Sequence, residues 1–284
     1  MPQIKIFADS TSDLPKDWIR KYNIGIVPLY VVFGDKSFRD GVDMTPEDLY
    51  RKVDERGSLP NTAAPSPADF LAAFQPYIDQ GDQILYISLS SEISSTYQNA
   101  VIAAGEFPEG TVTVFDSLNV CSAFGLLVMK AVRAAEEGKS VPEIVELLQA
   151  VRPQIKSEIL IDTLEYLYKG GRLSGMQNLI GSLLKIRPIV NVVNGKLNSA
   201  NKVRGKREKA LIQILQNTLS NRDEMDNDLI FVAHTMAEED AKWLQSKLQE
   251  ETSVREVAIS EAGCVISSHC GPKTIAIFYA KKVK

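Results

Sequence analysis

Short apolar runs, each ending in hydroxyl or carboxyl side chains and each followed by a helix-length segment, set the pattern of the first half of this chain. IKIFAD at 4–9 leads through STSDLP into DWIRKYN, QILYISLS at 83–90 leads into SSTYQNAVIAAGEF, and TVTVFDS at 111–117 is followed by CSAFGLLVMKAVRAAEEG. Strands joined through helices are parallel neighbours, because a crossover is needed to return the chain to the same end of the sheet. The order therefore predicts a largely parallel sheet covered on both faces. Ligand sites in such sheets lie beyond the carboxyl ends of the strands. Here those ends open the loops at Asp9, Ser90 and Asp116.

Local punctuation fixes several helices. Thr45 is expected to cap a helix with Pro46 in its first position and Gly57 after its end; Ser66, Pro67 and Gly81 repeat the device, and Gly138 ends the helix that follows Cys121. IGIVPLYVVFG at 24–34 is strand-like but broken by Pro28, which marks an edge or a bend. VPEIVELLQAVRPQIK at 141–156 reads as a helix ending near 156, and the texture changes beyond it. There follow EILIDTLEYLYKGG, a glycine-flanked helix around 176–185, and two strand-like runs joined by Asn194-Gly195, a strong hairpin signal. LIFVAHT, REVAISEA and TIAIFYA add strands, with a helix from Glu238 to about Glu250 among them. The expected fold class is α/β in two domains, a parallel-sheet domain over 1–156 and a mixed one over 157–284. At 284 residues a division into two is expected.

Composition removes several functions. A net charge of -4 argues against a general nucleic-acid binder, which needs a positive surface to displace phosphate counterions. Lys202, Arg204, Lys206, Arg207 and Lys209 form the one dense basic stretch, read either as a solvated hairpin end and helix start or as a docking patch for an acidic partner. Cys121, Cys264 and Cys270 make neither a CxxC pair nor an even-numbered framework, which favours free thiols in a reducing compartment. MPQIKIFADS does not read as a secretory signal, and no apolar run reaches the ~18 residues that span a bilayer. A cytoplasmic protein without stable membrane insertion is expected, monomeric by default, handling any lipid in an internal pocket.

Five stretches carry candidate chemistry. In ADSTSD, Asp9 ends a strand before a run of hydroxyls, where it organises the loop or touches a ligand; no phosphate-binding glycine motif is present. In NTAAPSP, Thr62 has a hydroxyl to offer a bound anion, although turn architecture is the simpler account of the run. In LSSEISSTYQNA, Ser90, Ser91, Ser94, Ser95 and Thr96 crowd a strand-to-helix junction with its unpaired amides, more hydroxyls than capping needs. In YKGGRLSG, Gly170 and Gly171 permit a tight turn from which Arg172 extends. In CVISSHCGP, His269 follows strand-like residues and precedes a Gly-Pro turn in what reads as a cleft loop, and His234 ends LIFVAH in a similar way.

Catalysis fits these residues poorly. Two histidines with no HExxH and no CxxC make a metal site improbable. A serine hydrolase built on Ser94 and His269 lacks GxSxG and a third member to orient the base. A carboxylate-binding hydroxyl needs no such activation.

In order and spacing the chain resembles the DegV family, bacterial fatty-acid-binding proteins of the FakB type. FADSTSDLP at 7–15, VPLYVVFGDKSFRDGVD at 27–43, TAAPSP at 62–67, LSSEISSTYQNA at 89–100, TLEYLYKGGRLSG at 163–175, KIRPIVNVVNGKL at 185–197 and SSHCGP at 267–272 carry the resemblance. It implies a long-chain fatty acid in an apolar tunnel between the two domains, its carboxylate held by Thr62 and Ser94. It also implies that the protein is not itself an enzyme and needs no cofactor or metal. Arg172 and His269 would serve presentation to a separate ATP-dependent fatty acid kinase that makes acyl phosphate for phospholipid synthesis. Two positions depart from the pattern: Ser95 replaces a glycine in SGTY, and Lys273 replaces one after the histidine motif, where it adds a cation able to meet a phosphate. The alternative is a binding protein for another small apolar acid, with the Ser94 hydrolase further behind.

Overall fold

In the computed structural model the chain is described over residues 3–172 and 186–283, and the helix expected around 176–185 lies outside them. It opens with β1 (Ile4–Asp9), α1 (Lys16–Lys21) and β2 (Gly25–Val27). After Pro28 it enters β3 (Tyr30–Phe33) and β4 (Lys36–Arg39), then α2 (Pro46–Arg56), β5 (Asn61–Ala63), α3 (Pro67–Ile78), β6 (Gln83–Ser88), α4 (Thr96–Ala104) and β7 (Val112–Asp116). α5 (Ser122–Glu136) and α6 (Val141–Val151) lead to β8 (Ile155–Leu160) and α7 (Glu165–Lys169). The rest runs β9 (Ile186–Val193), β10 (Lys196–Arg204), α8 (Arg207–Leu219), β11 (Met225–His234), α9 (Glu238–Glu251), β12 (Glu256–Glu261), α10 (Cys264–Cys270) and β13 (Ile275–Lys281).

The first sheet, ordered β2-β1-β6-β7, is parallel throughout, as the strand-loop-helix succession predicts. The second, β10-β9-β8-β13-β11-β12, is mixed: β11 and β12 are parallel and the other neighbours antiparallel. Between the sheets lies α5, with 11 of its 15 residues buried, packed against β1 and β6 on one side and β8, β11 and β13 on the other. A single apolar core consequently runs from β1 through α5 to β13. Gly125 lets α5 approach the first sheet, because a Cβ there would stand 3.0 Å from the Ser12 carbonyl oxygen.

Pro28 marks both an edge and a break, as expected: β2 is the edge strand of the parallel sheet, and β3 beyond the proline joins a small antiparallel one, β4-β3-β5. Two local readings are corrected. The turn read at 61–67 begins as β5, with Thr62 opposite Val31, a pairing that only the tertiary partner supplies. The helix read through 156 stops at Val151; Pro153 has no amide hydrogen to continue it, and a 3₁₀ turn leads straight into β8. The capped starts at Thr45 and Ser66 match, each with its reciprocal aspartate at Asp48 and Asp69.

Candidate ligand-binding site

Where the parallel sheet's carboxyl end faces the mixed sheet, a cavity of about 870 Å³, counted out to its mouth, lies between them. Its walls are mostly aliphatic: Leu29, Leu89, Ile93 and Val120 from the first half, Ile159, Ile161, Ala233, Ala276 and Phe278 from the second. Among the polar side chains that reach it are Thr62, Ser94, Arg172 and His269.

Thr62 and His269 meet across the two halves, 2.8 Å from Oγ1 to Nε2. Burial, and after it the Arg172 charge, pushes the His269 pKa down to about 4, so the imidazole is neutral at ordinary pH. Among the described residues its Nδ1 has no partner and is shut in by Gly170, where a Cβ would stand 2.3 Å from it. An unpaired buried N–H costs more than an unpaired lone pair, which favours the tautomer with the proton on Nε2. Nε2 then donates to Thr62, and the Thr62 hydroxyl hydrogen is left to donate elsewhere. Arg172 Nη1 donates to the Gly170 carbonyl at 2.7 Å, which ties its guanidinium to the same turn. No carboxylate among the described residues pairs with it.

The helix under His269 is positioned from the other half. α10 begins where the Gly263 amide donates to Asp13 Oδ1 at 2.7 Å and the Cys264 amide to Asp40 Oδ1 at 2.6 Å. Burial holds both carboxyls above their ordinary range. A Cβ on Gly263 would lie 2.8 Å from Asp40 Oδ1, so only glycine admits this approach. These two caps make 264–270 a helix where sequence suggested strand and loop. The Tyr50 hydroxyl adds a second tie, 2.7 Å from Thr235 Oγ1 and donating to the Ser267 carbonyl.

The crowd of hydroxyls after β6 divides its labour. Ser90 donates to the Gly195 carbonyl at 2.8 Å and so docks the β9–β10 hairpin on the first half, while Ser91 donates to Asp116. Ser94 faces the cavity and shares a 2.8 Å hydrogen bond with Thr96. Ser95 is exposed with φ -77°, so glycine is not needed there, and it does not line the cavity. Lys273 is exposed at φ +61°, a left-handed residue where glycine would be unstrained. It lines a separate acidic groove with Glu47, Glu238 and Glu261. Asp9 is wholly buried and accepts from the Leu89 and Thr11 amides and the Tyr86 hydroxyl; burial lifts its pKa to about 6. It is a loop brace outside the cavity wall. His234 touches both cavity and acidic groove, and burial lowers its pKa. Cys121 and Cys270, read only as free thiols, are cavity-lining as well as unpaired.

Sequence reasoning missed the caps Asp13 and Asp40 and the brace Tyr50. Asp40 stands in the FRDGVD run, but nothing local assigns it a partner more than two hundred residues away. No described helix is long and apolar enough to cross a membrane, and no cluster of three metal-ligating side chains occurs among the described residues.

Fold and site together define an α/β protein built on a parallel and a mixed sheet, with an apolar cavity between them that carries a few polar groups. The chain belongs to the DegV family: the family model, described as an uncharacterised protein family, matches residues 3–282. A DegV domain-containing protein of Caldanaerobacter subterraneus is 37% identical over 99% of this chain and 100% of its own. A fatty-acid-binding DegV family protein of Thermus thermophilus superposes with a TM-score of 0.92 at 31% identity, over 99% of this chain and 100% of its own. A stearic-acid-binding protein of Eubacterium ventriosum does so at 0.89 and 25% identity, over 99% of each chain.

Proposed function

We propose that this chain binds a long-chain fatty acid, tail in the interlobe cavity and carboxylate at Thr62 and Ser94, and presents it to a separate ATP-dependent fatty acid kinase. The observation that carries the reading is an aliphatic cavity in which Thr62, His269 and Arg172 are linked through one turn. Each methylene moved from water into such walls contributes about 0.8 kcal/mol, so a long tail supplies most of the affinity without polar specificity. The head needs only donors, and with the Nε2 tautomer Thr62 has its hydroxyl hydrogen to give. Fatty-acid-binding relatives with the same fold support the ligand class. The lobes of this reading are residues 1–156 and 157–284.

Arg172 stands at the cavity wall as a cation suited to a carboxylate or, after transfer, to acyl phosphate. His269 acts in this scheme by orienting Thr62. Ser95 and Lys273 lie off the cavity wall, and this reading assigns them to contact with the kinase. Among the described residues no Ser–His pair is present to activate a nucleophile: His269 Nε2 is taken by Thr62 and Ser94 is bonded to Thr96, which counts against the hydrolase.

Native mass spectrometry of protein purified without added lipid, followed by extraction, tests the ligand. A stoichiometric straight-chain fatty acid is expected. Thr62→Val should weaken fatty acid binding about 10- to 100-fold, the worth of one charge-assisted hydrogen bond at roughly 1.5–3 kcal/mol. Protein that is empty and also rejects added long-chain acids would end this reading and leave another apolar acid as the candidate. Coupling to the kinase is read separately, as acyl phosphate formed from the loaded protein, the kinase and ATP.

A further inference from the structure

We infer that the aromatic pair Phe231–Phe278 closes the inner end of the cavity and fixes the greatest length of acyl chain the protein accepts, Phe278 being the residue the tail meets. The inference rests on the fatty acid reading and deepens it.

Side chains alternate across a sheet, so β13 turns Ala276, Phe278 and Ala280 toward α5 and the cavity. The register sets Ala276 between Ala233 of β11 and Ile159 of β8. It sets Phe278, two residues on, between Phe231 and Ser157, and Ala280 opposite Ile155. These are successive rows on one face. All three members of the Ala276 row line the cavity, only Phe278 does so from the next, and neither Ala280 nor Ile155 does so from the third. The lumen thus stops at the second row.

The polar end lies the other way. β13 begins just after Cys270 and Thr274, and β8 runs out through Ile161 and Leu167 to Arg172, all of them cavity residues. A carboxylate held there directs its tail inward along the strands, over the floor that the two alanines leave low, into the Phe278 ring. That ring is unable to yield. Phe278 is 1% exposed on a strand flanked on both sides. Phe231 beside it is fully buried, its ring 5.5 Å from that of Trp18. With the head pinned and the far end walled, affinity rises about fourfold per methylene until the tail meets the ring, and falls beyond.

The test is competition among saturated straight-chain acids of graded length, read by native mass spectrometry, for wild type, Phe278→Ala, the milder Phe278→Leu and Ala276→Leu. Behind Phe278 on the same face the next residue of β13 is Ala280, a small side chain. Truncation to alanine should therefore move the preferred acid longer by about two to four carbons, a ring's depth along a zigzag chain built from bonds of about 1.5 Å. Phe278→Leu should move it less and Ala276→Leu should move it shorter, while Thr62→Val weakens every length alike. If wild type takes fatty acids but the folded variants keep its length ranking, the wall is elsewhere and the ligand reading stands. If wild type takes none, both fall.

Discussion

His269 has an environment that makes a measurable demand on pH. Its pKa is about 4 in the fold against 6.5 for an unperturbed imidazole. Between those values the unfolded chain binds the extra proton and the native state does not, so stability is full above pH 6.5 and falls as pH drops toward 4. The loss by pH 4 is about 3 kcal/mol. Denaturant unfolding of wild type and His269→Gln at pH 7.5 and pH 4 should show the wild type losing about that much relative to the variant. Parallel pH dependence in the two would mean the imidazole is not held neutral by burial. The resemblance named Thr62, Ser94, Arg172 and His269 from motifs, and the structure brings all four to one cavity. What motifs left out is the contact between Thr62 and His269, residues 207 positions apart, and the lone Nδ1 that Gly170 shuts in behind it.

Elements were legible where their signals are local. Pro46 and Pro67 at helix starts, Asn194-Gly195 at a hairpin and apolar runs of strand length each describe a structure that neighbouring residues suffice to form, and both hairpin residues take the positive φ that the turn requires. β5 and α10 were not legible, because one needs β3 as a partner and the other needs caps from the opposite lobe. α10 should therefore depend on Asp40. Asp40→Ala removes the acceptor of the Cys264 amide and leaves a buried donor unpaired, at a cost of about 1–3 kcal/mol. Hydrogen exchange at Cys264 should speed up more than in α9, and equal protection would show that Asp40 does not hold the helix. The hairpin offers a sharper case. Gly195 has φ +79°, and a Cβ there would stand 2.5 Å from Ser90 Oγ, so the sequence's turn residue is also the docking residue.

At the scale of the molecule the cavity lies between two sheets, so its contents take part in holding them together. Extracting the ligand should lower stability by the mass-action term, about 3–4 kcal/mol where free ligand stands 100- to 1,000-fold above its dissociation constant. Thermal unfolding of extracted and reloaded protein reads this directly, and an unchanged midpoint would place the acid outside the cooperative fold. The α/β class, the parallel first sheet and the mixed second one were foreseeable from strand order, since consecutive elements in a chain tend to be neighbours in space. The small antiparallel sheet and the length of the cavity were not, because they depend on which residues face one another across a register.

α5 gives the molecule a property that its two sheets alone do not suggest. Its sequence belongs to the first half, yet its buried surface is shared, with Phe124, Leu127 and Val128 fully enclosed. Whoever expresses the halves as separate pieces must award this helix to one of them, and the other is then left with an uncovered apolar face of β8, β11 and β13, prone to aggregate.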